Sequence, residues 1–379
     1  MTVDEALLED GPKLEAADPG QMLRAIATSA SQVRESATAS AEAGLGRLAD
    51  EGRPRSVVVL GMGGSGIAGD VFAALVGPES PVPVFVHKGY GLPRWVGAAD
   101  LVIAVSCSGG TEETLSGLEV AVRRGCRALV VGARNSPVAE LAHAGRALFV
   151  PVDARGRQPR SMVWGLSVPL ALAADALGLA VVDPEAVEAT AIRLEETATA
   201  CRADSESFVN PGKTLALALA DRLPMTWGTT GVAGVASYRM LCQLAENAKV
   251  PGISGELPEA NHNQVVAFDG PAGAGAGTAD LFADPDEGAR SGPRLRLVLL
   301  RDPEDEHPQV ARRAEVSKQL AEDRGLAVTE LTAEGGSRLE RLASLVGPID
   351  YATVYLALVL GVDPTPVAAI QDLKDRIAR

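Results

Sequence analysis

The run Ser56-Val57-Val58-Val59-Leu60 ends abruptly in Gly61-Met62-Gly63-Gly64-Ser65-Gly66. A short unbroken series of β-branched residues closed by glycines reads as a strand buried on both faces, as in a helix-covered parallel sheet. Glycines directly after such a strand let the backbone approach an anion. The helix that they open presents free N–H groups and a partial positive charge.

The same grammar continues along the chain. Strands are expected at 83–87, 101–105, 127–131 and 147–151, with helices near 65–76, 111–124 and 135–144 between them. Residues 21–50 read as a helix, as do 162–178 and 184–203, and Asn210-Pro211-Gly212 marks a boundary. Beyond it come a strand at 223–227, the turn Gly228-Thr229-Thr230-Gly231 and a helix through about Asn247. Strands at 296–300 and 327–332, with helices near 308–324 and 338–361, complete the pattern. Alternating strands and helices imply an α/β fold with parallel sheets. VVVLGMGGSGIAGDVFAAL matches MTWGTTGVAGVASYRMLCQL as strand, small-residue turn and helix, which suggests a duplicated domain. The expected division is a helical segment 1–50, a first domain 51–182, a helical connection 183–212 and a second domain 213–379. Segment 270–293 is low in complexity and reads as an inserted loop.

Composition excludes several classes. The formal charge is −14 with no basic stripe, so the positive footprint of a nucleic-acid binder is missing. Aromatic residues make up only 3%, which argues against base-stacking platforms. The opening MTVDEALLEDGPKLEAADPG lacks the basic and apolar regions of a secretory signal. No uninterrupted apolar run approaches the roughly 20 residues that span a bilayer. Cys107, Cys126, Cys201 and Cys242 are scattered, as are the histidines, so reduced thiols without a metal site are expected. The expectation is a soluble cytoplasmic protein with no membrane and no nucleic-acid partner.

The glycine loop also satisfies G-x-G-x-x-G, the dinucleotide fingerprint, which needs an acid after the second strand to hold the ribose. Phe85-Val86-His87-Lys88-Gly89 supplies none. The third strand runs instead into Ser106-Cys107-Ser108-Gly109-Gly110-Thr111-Glu112. Ser106, Ser108 and Thr111 set three hydroxyls around one turn at a helix N-terminus, which suits phosphate oxygens. Helix capping accounts for one such hydroxyl but not for all of them. The substrate-binding set is therefore Gly63, Gly64, Ser65, Ser106, Ser108, Gly109 and Thr111.

GMGGSG followed about forty residues later by S-x-S-G-x-T is similar to the sugar isomerase (SIS) domain. The resemblance implies two SIS-type domains, each a flavodoxin-like three-layer sandwich, whose loops bind a sugar phosphate. Gly110 stands where that family has Asn, which implies a more flexible loop.

Further along, Arg239, Gln243 and Glu246 fall at i, i+4 and i+7 on one helical face. On a generic helix this would be a solvated, ion-paired stripe. Here the helix is otherwise apolar, and a carboxylate near its C-terminus opposes the dipole, a setting suited to a general base. His262 lies among Asn261, Asn263 and Gln264 in a Pro-containing loop, where the asparagines also suit turn formation. Asp363-Pro364-Thr365-Pro366 opens a last helix that carries Lys374, and Arg160 follows Gln158-Pro159. Alone, Lys374 and Arg160 are ambiguous.

Q-L-x-E-N-x-K, E-x-P-E-x-N-H-N and G-x-D-P-T-P-V resemble the bifunctional phosphoglucose/phosphomannose isomerases, over about residues 57–376. The resemblance implies Glu246 as catalytic base, His262 and Lys374 as ring-opening groups and Arg160 beside the reaction intermediate. It also implies a homodimer with shared sites, because in that family the histidine comes from the neighbouring subunit. No metal and no other cofactor is implied. Gln264 replaces a frequent Glu of the family. The expected activity interconverts glucose 6-phosphate or mannose 6-phosphate with fructose 6-phosphate. The alternative is a non-catalytic phosphosugar-binding regulator, which would have no reason to carry Glu246, His262 and Lys374 together.

Overall fold

Two parallel sheets realise the alternation read from the sequence. The structure, a computed structural model, describes residues 3–276 and 294–377. Most of the low-complexity stretch expected as an inserted loop, 277–293, lies outside the described residues. The chain opens with helices α1 (Gly11–Ala17), α2 (Met22–Ala27) and α3 (Ser29–Glu42). It continues through β1 (Val57–Leu60), α4 (Gly63–Val76), β2 (Val84–His87), β3 (Leu101–Ser106) and α5 (Glu112–Arg123). Then come β4 (Arg127–Ala133), α6 (Pro137–Ala144), β5 (Leu148–Val152), α7 (Val163–Ala176) and α8 (Pro184–Ala200). The second series is α9 (Pro211–Leu219), β6 (Leu223–Gly228), α10 (Gly231–Gln243), β7 (Ile253–Glu256) and β8 (Leu295–Arg301). It ends with α11 (Pro308–Glu322), β9 (Ala327–Thr332), α12 (Arg338–Val359) and α13 (Ala368–Ile377).

The first sheet runs β2-β1-β3-β4-β5 and the second β7-β6-β8-β9, all pairs parallel. Both therefore place their first strand between the second and third, as a duplication requires. Period-2 alternation sorts the buried strand residues onto two faces. Val57, Val59, Ile103 and Val131 pack with Phe72 and Leu166 of α4 and α7. Val58, Leu60, Val102 and Val130 pack with Leu118 and Val138 of α5 and α6. Each face is covered, giving helix, sheet, helix layers. In the second sheet Met225, Trp227, Leu297 and Leu299 pack with Ala314 and Ala321 of α11, and α10 covers β6, β7 and β8.

The chain divides into two compact units: Ala25–Glu196 with Glu334–Ser344, and Met1–Arg24 with Thr197–Ala333 and Leu345–Arg379. The 21–50 segment, expected as one helix, is broken. Thr28 separates α2 from α3, and Gly44, at φ +73, turns the chain into a short 3-10 helix. Residues 1–24 complete the unit that holds β6–β9. There the Asp4 N–H donates to the Val359 carbonyl at 3.0 Å, and the buried Lys213 ammonium donates to the carbonyls of Leu8, Ala203 and Ser205. Helix α12 is long and apolar enough to cross a membrane by length and composition, but 89% of its apolar window is buried within the fold. It is a core helix.

Candidate active site

Only Gly61 and Met62 separate β1 from α4, so Ser65 falls in the first helical turn, among N–H groups that lack intrahelical partners. Its hydroxyl accepts the Cys107 N–H at 3.1 Å, which joins this loop to the one after β3. In that second loop Ser106 Oγ lies 3.0 Å from Thr111 Oγ1 and accepts the Gly109 N–H at 3.0 Å. Thr111 is the N-cap of α5 but makes no side-chain cap bond, so capping does not account for its hydroxyl. Ser108 is exposed and accepts a long 3.4 Å bond from Gly110.

Two glycines are dictated by space. A Cβ on Gly109 would lie 2.1 Å from Ser136 Oγ, at a φ of +72° that side chains avoid. A Cβ on Gly64 would lie 2.9 Å from the Pro159 carbonyl, so the cradle leans directly on the 3-10 turn Pro159–Ser161. That turn holds Arg160, only 3% exposed. The structure thus brings Gly63, Gly64, Ser65, Ser106, Ser108, Gly109, Thr111 and Arg160 into one region of one unit. Gly110 has no positive φ, and nothing lies within 4 Å of its Cβ position, so no local constraint demands glycine there. At the end of β2, where a dinucleotide fold has its ribose acid, the Lys88 ammonium pairs with Asp70 of α4 at 2.7 Å. Burial pushes the Cys107 thiol up to about 11, which leaves it protonated and unreactive at neutral pH.

Glu246, His262 and Lys374 belong to the other unit. The shared helical face expected for Arg239, Gln243 and Glu246 needs correction: α10 stops at Gln243, and Leu244–Ala248 is a π turn. A π turn holds about one more residue than an α turn and is frequent at functional sites. Arg239, Gln243 and Asn247 form the buried row. Arg239 Nε and Nη2 clasp Asp350 of α12 at 2.8 and 2.7 Å, and Gln243 donates to the same carboxylate at 3.2 Å. Asn247 donates to Thr353 at 3.1 Å. Glu246 is thereby turned off that row and is half-buried. An acid within an apolar helix requires a buried partner, so Asp350 is the sequence signal that points to this network.

His262 ends the 3-10 turn Glu259–His262 and is exposed. Its neighbours hold the turn: Asn261 donates to Ser317 of α11 at 2.8 Å, and Asn263 donates to Glu259 at 2.8 Å. Gln264 has a structural task that the sequence does not reveal. Its carbonyl oxygen accepts the Trp227 indole N–H at 2.6 Å while its amide donates to the Ser254 carbonyl at 3.0 Å. Lys374 lies on α13, which has no buried residue.

The loops after β6 and β8 occupy the same topological positions as those after β1 and β3, yet the second of them carries acids that take up the hydroxyls of the first. Thr229 donates to Glu306 at 2.6 Å and Thr230 to Asp302 at 3.1 Å. Burial opposes ionisation of Glu306, but hydrogen bonds from Arg301 and Thr229 outweigh it and hold its carboxyl below the usual value.

Comparisons with known proteins agree with this architecture. The profile of the bacterial phospho-glucose isomerase C-terminal SIS domain matches residues 208–377, and that of the SIS domain matches residues 53–159. A bifunctional phosphoglucose/phosphomannose isomerase from Caldicellulosiruptor bescii is 31% identical over 322 residues, covering 85% of this chain and 89% of that protein. One from Aquifex aeolicus is 32% identical over 330 residues, covering 86% and 91%. Among solved structures, a hypothetical protein from Thermus thermophilus shares the fold, with a TM-score of 0.69, 17% identity and coverage of 99% and 96%. Identity of 31–32% across most of both chains, together with both domain matches, shows that the chain belongs to the bifunctional phosphoglucose/phosphomannose isomerase family of SIS-domain proteins.

Proposed function

We propose that the protein is an aldose–ketose isomerase that interconverts glucose 6-phosphate and mannose 6-phosphate with fructose 6-phosphate through a cis-enediolate. The observation that carries this reading is the pair of loops after β1 and β3, joined through Ser65 and Cys107, with hydroxyls not consumed by capping. The relatives from Caldicellulosiruptor bescii and Aquifex aeolicus, both bifunctional phosphoglucose/phosphomannose isomerases, support the choice of substrates.

Each residue has a role in the proposed reaction. The cradle holds the phosphate dianion and turns its binding energy into orientation of the far end of the sugar. His262, with Lys374, moves a proton between the anomeric hydroxyl and the ring oxygen, which opens the ring. Glu246 removes the C2 proton of the aldose and returns it to C1, while a proton passes from the C2 hydroxyl to the C1 oxygen. The guanidinium of Arg160 offsets the negative charge on the enediolate oxygens. Rotation about C2–C3 of the open chain presents either C2 epimer to the same base. His262 serves a homodimer with shared sites, which its position at the end of a surface turn would permit.

A coupled assay that starts from fructose 6-phosphate, without added metal, should register both aldose phosphates. Glu246→Gln should retain fructose 6-phosphate binding and lose turnover by about 10²–10⁴-fold. Full activity in that variant would remove Glu246 as the base. Binding without turnover in the wild type would favour a phosphosugar sensor.

A further inference from the structure

Lys249 follows the π turn in the left-handed region, at φ +57°, where helix ends ordinarily use glycine. Its ammonium donates to the Glu246 carbonyl at 2.8 Å and to the Asn247 carbonyl at 3.2 Å. It also reaches the carbonyls of Asp363 at 3.2 Å and Pro364 at 3.5 Å. The first two belong to the turn that carries Glu246; the last two belong to the turn that leads into α13 and Lys374. We propose that Lys249 is a positioning residue, whose ammonium fixes the Glu246 turn and the root of α13 in one frame. This role rests on Glu246 as the base and deepens that reading.

Carbonyls at the end of a helix lack intrahelical partners and form the negative end of its dipole, so a cation is favoured there. Water would satisfy those carbonyls one at a time, but a single ammonium donating to both turns also ties them together. The π turn is moreover held from behind, because Asn247 donates to Thr353 and the Thr353 hydroxyl donates to the Asp350 carbonyl. With Lys249 on the other side, the backbone that aims the Glu246 carboxylate is held from two directions. An ordinary C-cap would explain the first pair of bonds but not the second.

The decisive variants are Lys249→Gly, Lys249→Met and Lys249→Arg. Glycine relieves the left-handed backbone, so Lys249→Gly separates loss of the ammonium from loss of the fold. Both Lys249→Gly and Lys249→Met should lower kcat about 10- to 100-fold, the cost of a small misplacement of a catalytic group. KM for fructose 6-phosphate should change little, because the phosphate cradle lies in the other unit. Lys249→Arg should recover part of kcat, and hydrogen exchange across residues 363–377 should quicken in the Gly and Met variants. A fully active Lys249→Gly, or loss confined to Lys249→Met, would overturn the positioning role and reduce Lys249 to a cap. If Glu246→Gln is inactive while both Lys249 variants work normally, the base survives and the tether falls. If the wild type isomerises nothing, the base falls and exchange alone judges the tether: unchanged protection in Lys249→Gly rejects it, and faster exchange supports it.

Discussion

Gln264 illustrates how much one side chain can fix. It presents an acceptor to the Trp227 indole and a donor to the Ser254 carbonyl, the two capacities of one side-chain amide. Gln264→Glu is nearly isosteric, so packing against Trp227 is conserved, but it removes the donor and sets a carboxylate against a carbonyl. Urea unfolding should therefore show a loss of about 1–3 kcal/mol, the range for a hydrogen-bonding group left unsatisfied. An unchanged midpoint would mean that the bridge does not hold the loop. In the sequence Gln264 is visible only as a departure from a family pattern, because its partners come from different elements. The same holds for Glu246. Its identity is legible from Q-L-x-E-N-x-K, but its direction depends on a π turn that helical periodicity cannot reveal. The placement of Ser65, Ser106 and Thr111 at the strand ends is legible, since short loops after the strands gather them.

Asp100, at the approach to β3, joins that strand to the start of β1. Its side chain is wholly buried and accepts from Arg55 at 2.9 Å, Ser56 at 2.7 Å and the Gly97 N–H at 2.8 Å. The Arg55 hydrogen bond, aided by those from Gly97 and Ser56, outweighs burial and holds the carboxyl at about 2. That lies below the value near 4 of an unfolded Asp, so the ionised group contributes stability above about pH 4. The contribution disappears as the pH falls from about 4 to about 2. Denaturation midpoints measured between pH 5 and 2 should fall less steeply in Asp100→Asn than in the wild type; parallel profiles would count against this role. Strands such as β1 and β3 are legible because burial on both faces writes an unbroken apolar run. The edge strand β7, Ile253-Ser254-Gly255-Glu256, has no such run, so the pattern of apolar residues does not mark it. It is recruited by pairing with β6, and that is a tertiary event.

At the scale of the molecule, duplication has produced two sheets of like order with unlike loops. Hydroxyls stand free of capping after β1 and β3, whereas Asp302 and Glu306 already take up the hydroxyls of Thr230 and Thr229 after β6 and β8. A phosphate there would meet two carboxylates. Calorimetric titration with fructose 6-phosphate should accordingly saturate at one ligand per chain, and a second site of similar affinity would contradict this account. The duplication itself is legible in the matching strand–turn–helix segments. The difference in charge is not, since the acids of Asp302-Pro303-Glu304-Asp305-Glu306 acquire meaning only when topology sets them at the equivalent strand end. The same topology has a consequence for biosynthesis. Asp4 and Leu8 hydrogen-bond to groups on α12 and α9, so these early residues leave the ribosome long before their partners do. The sheet β1–β5 is complete once the chain reaches Val152. The N-terminal segment must stay unpaired with α12 until that helix has emerged, so the second unit closes only at the end of synthesis.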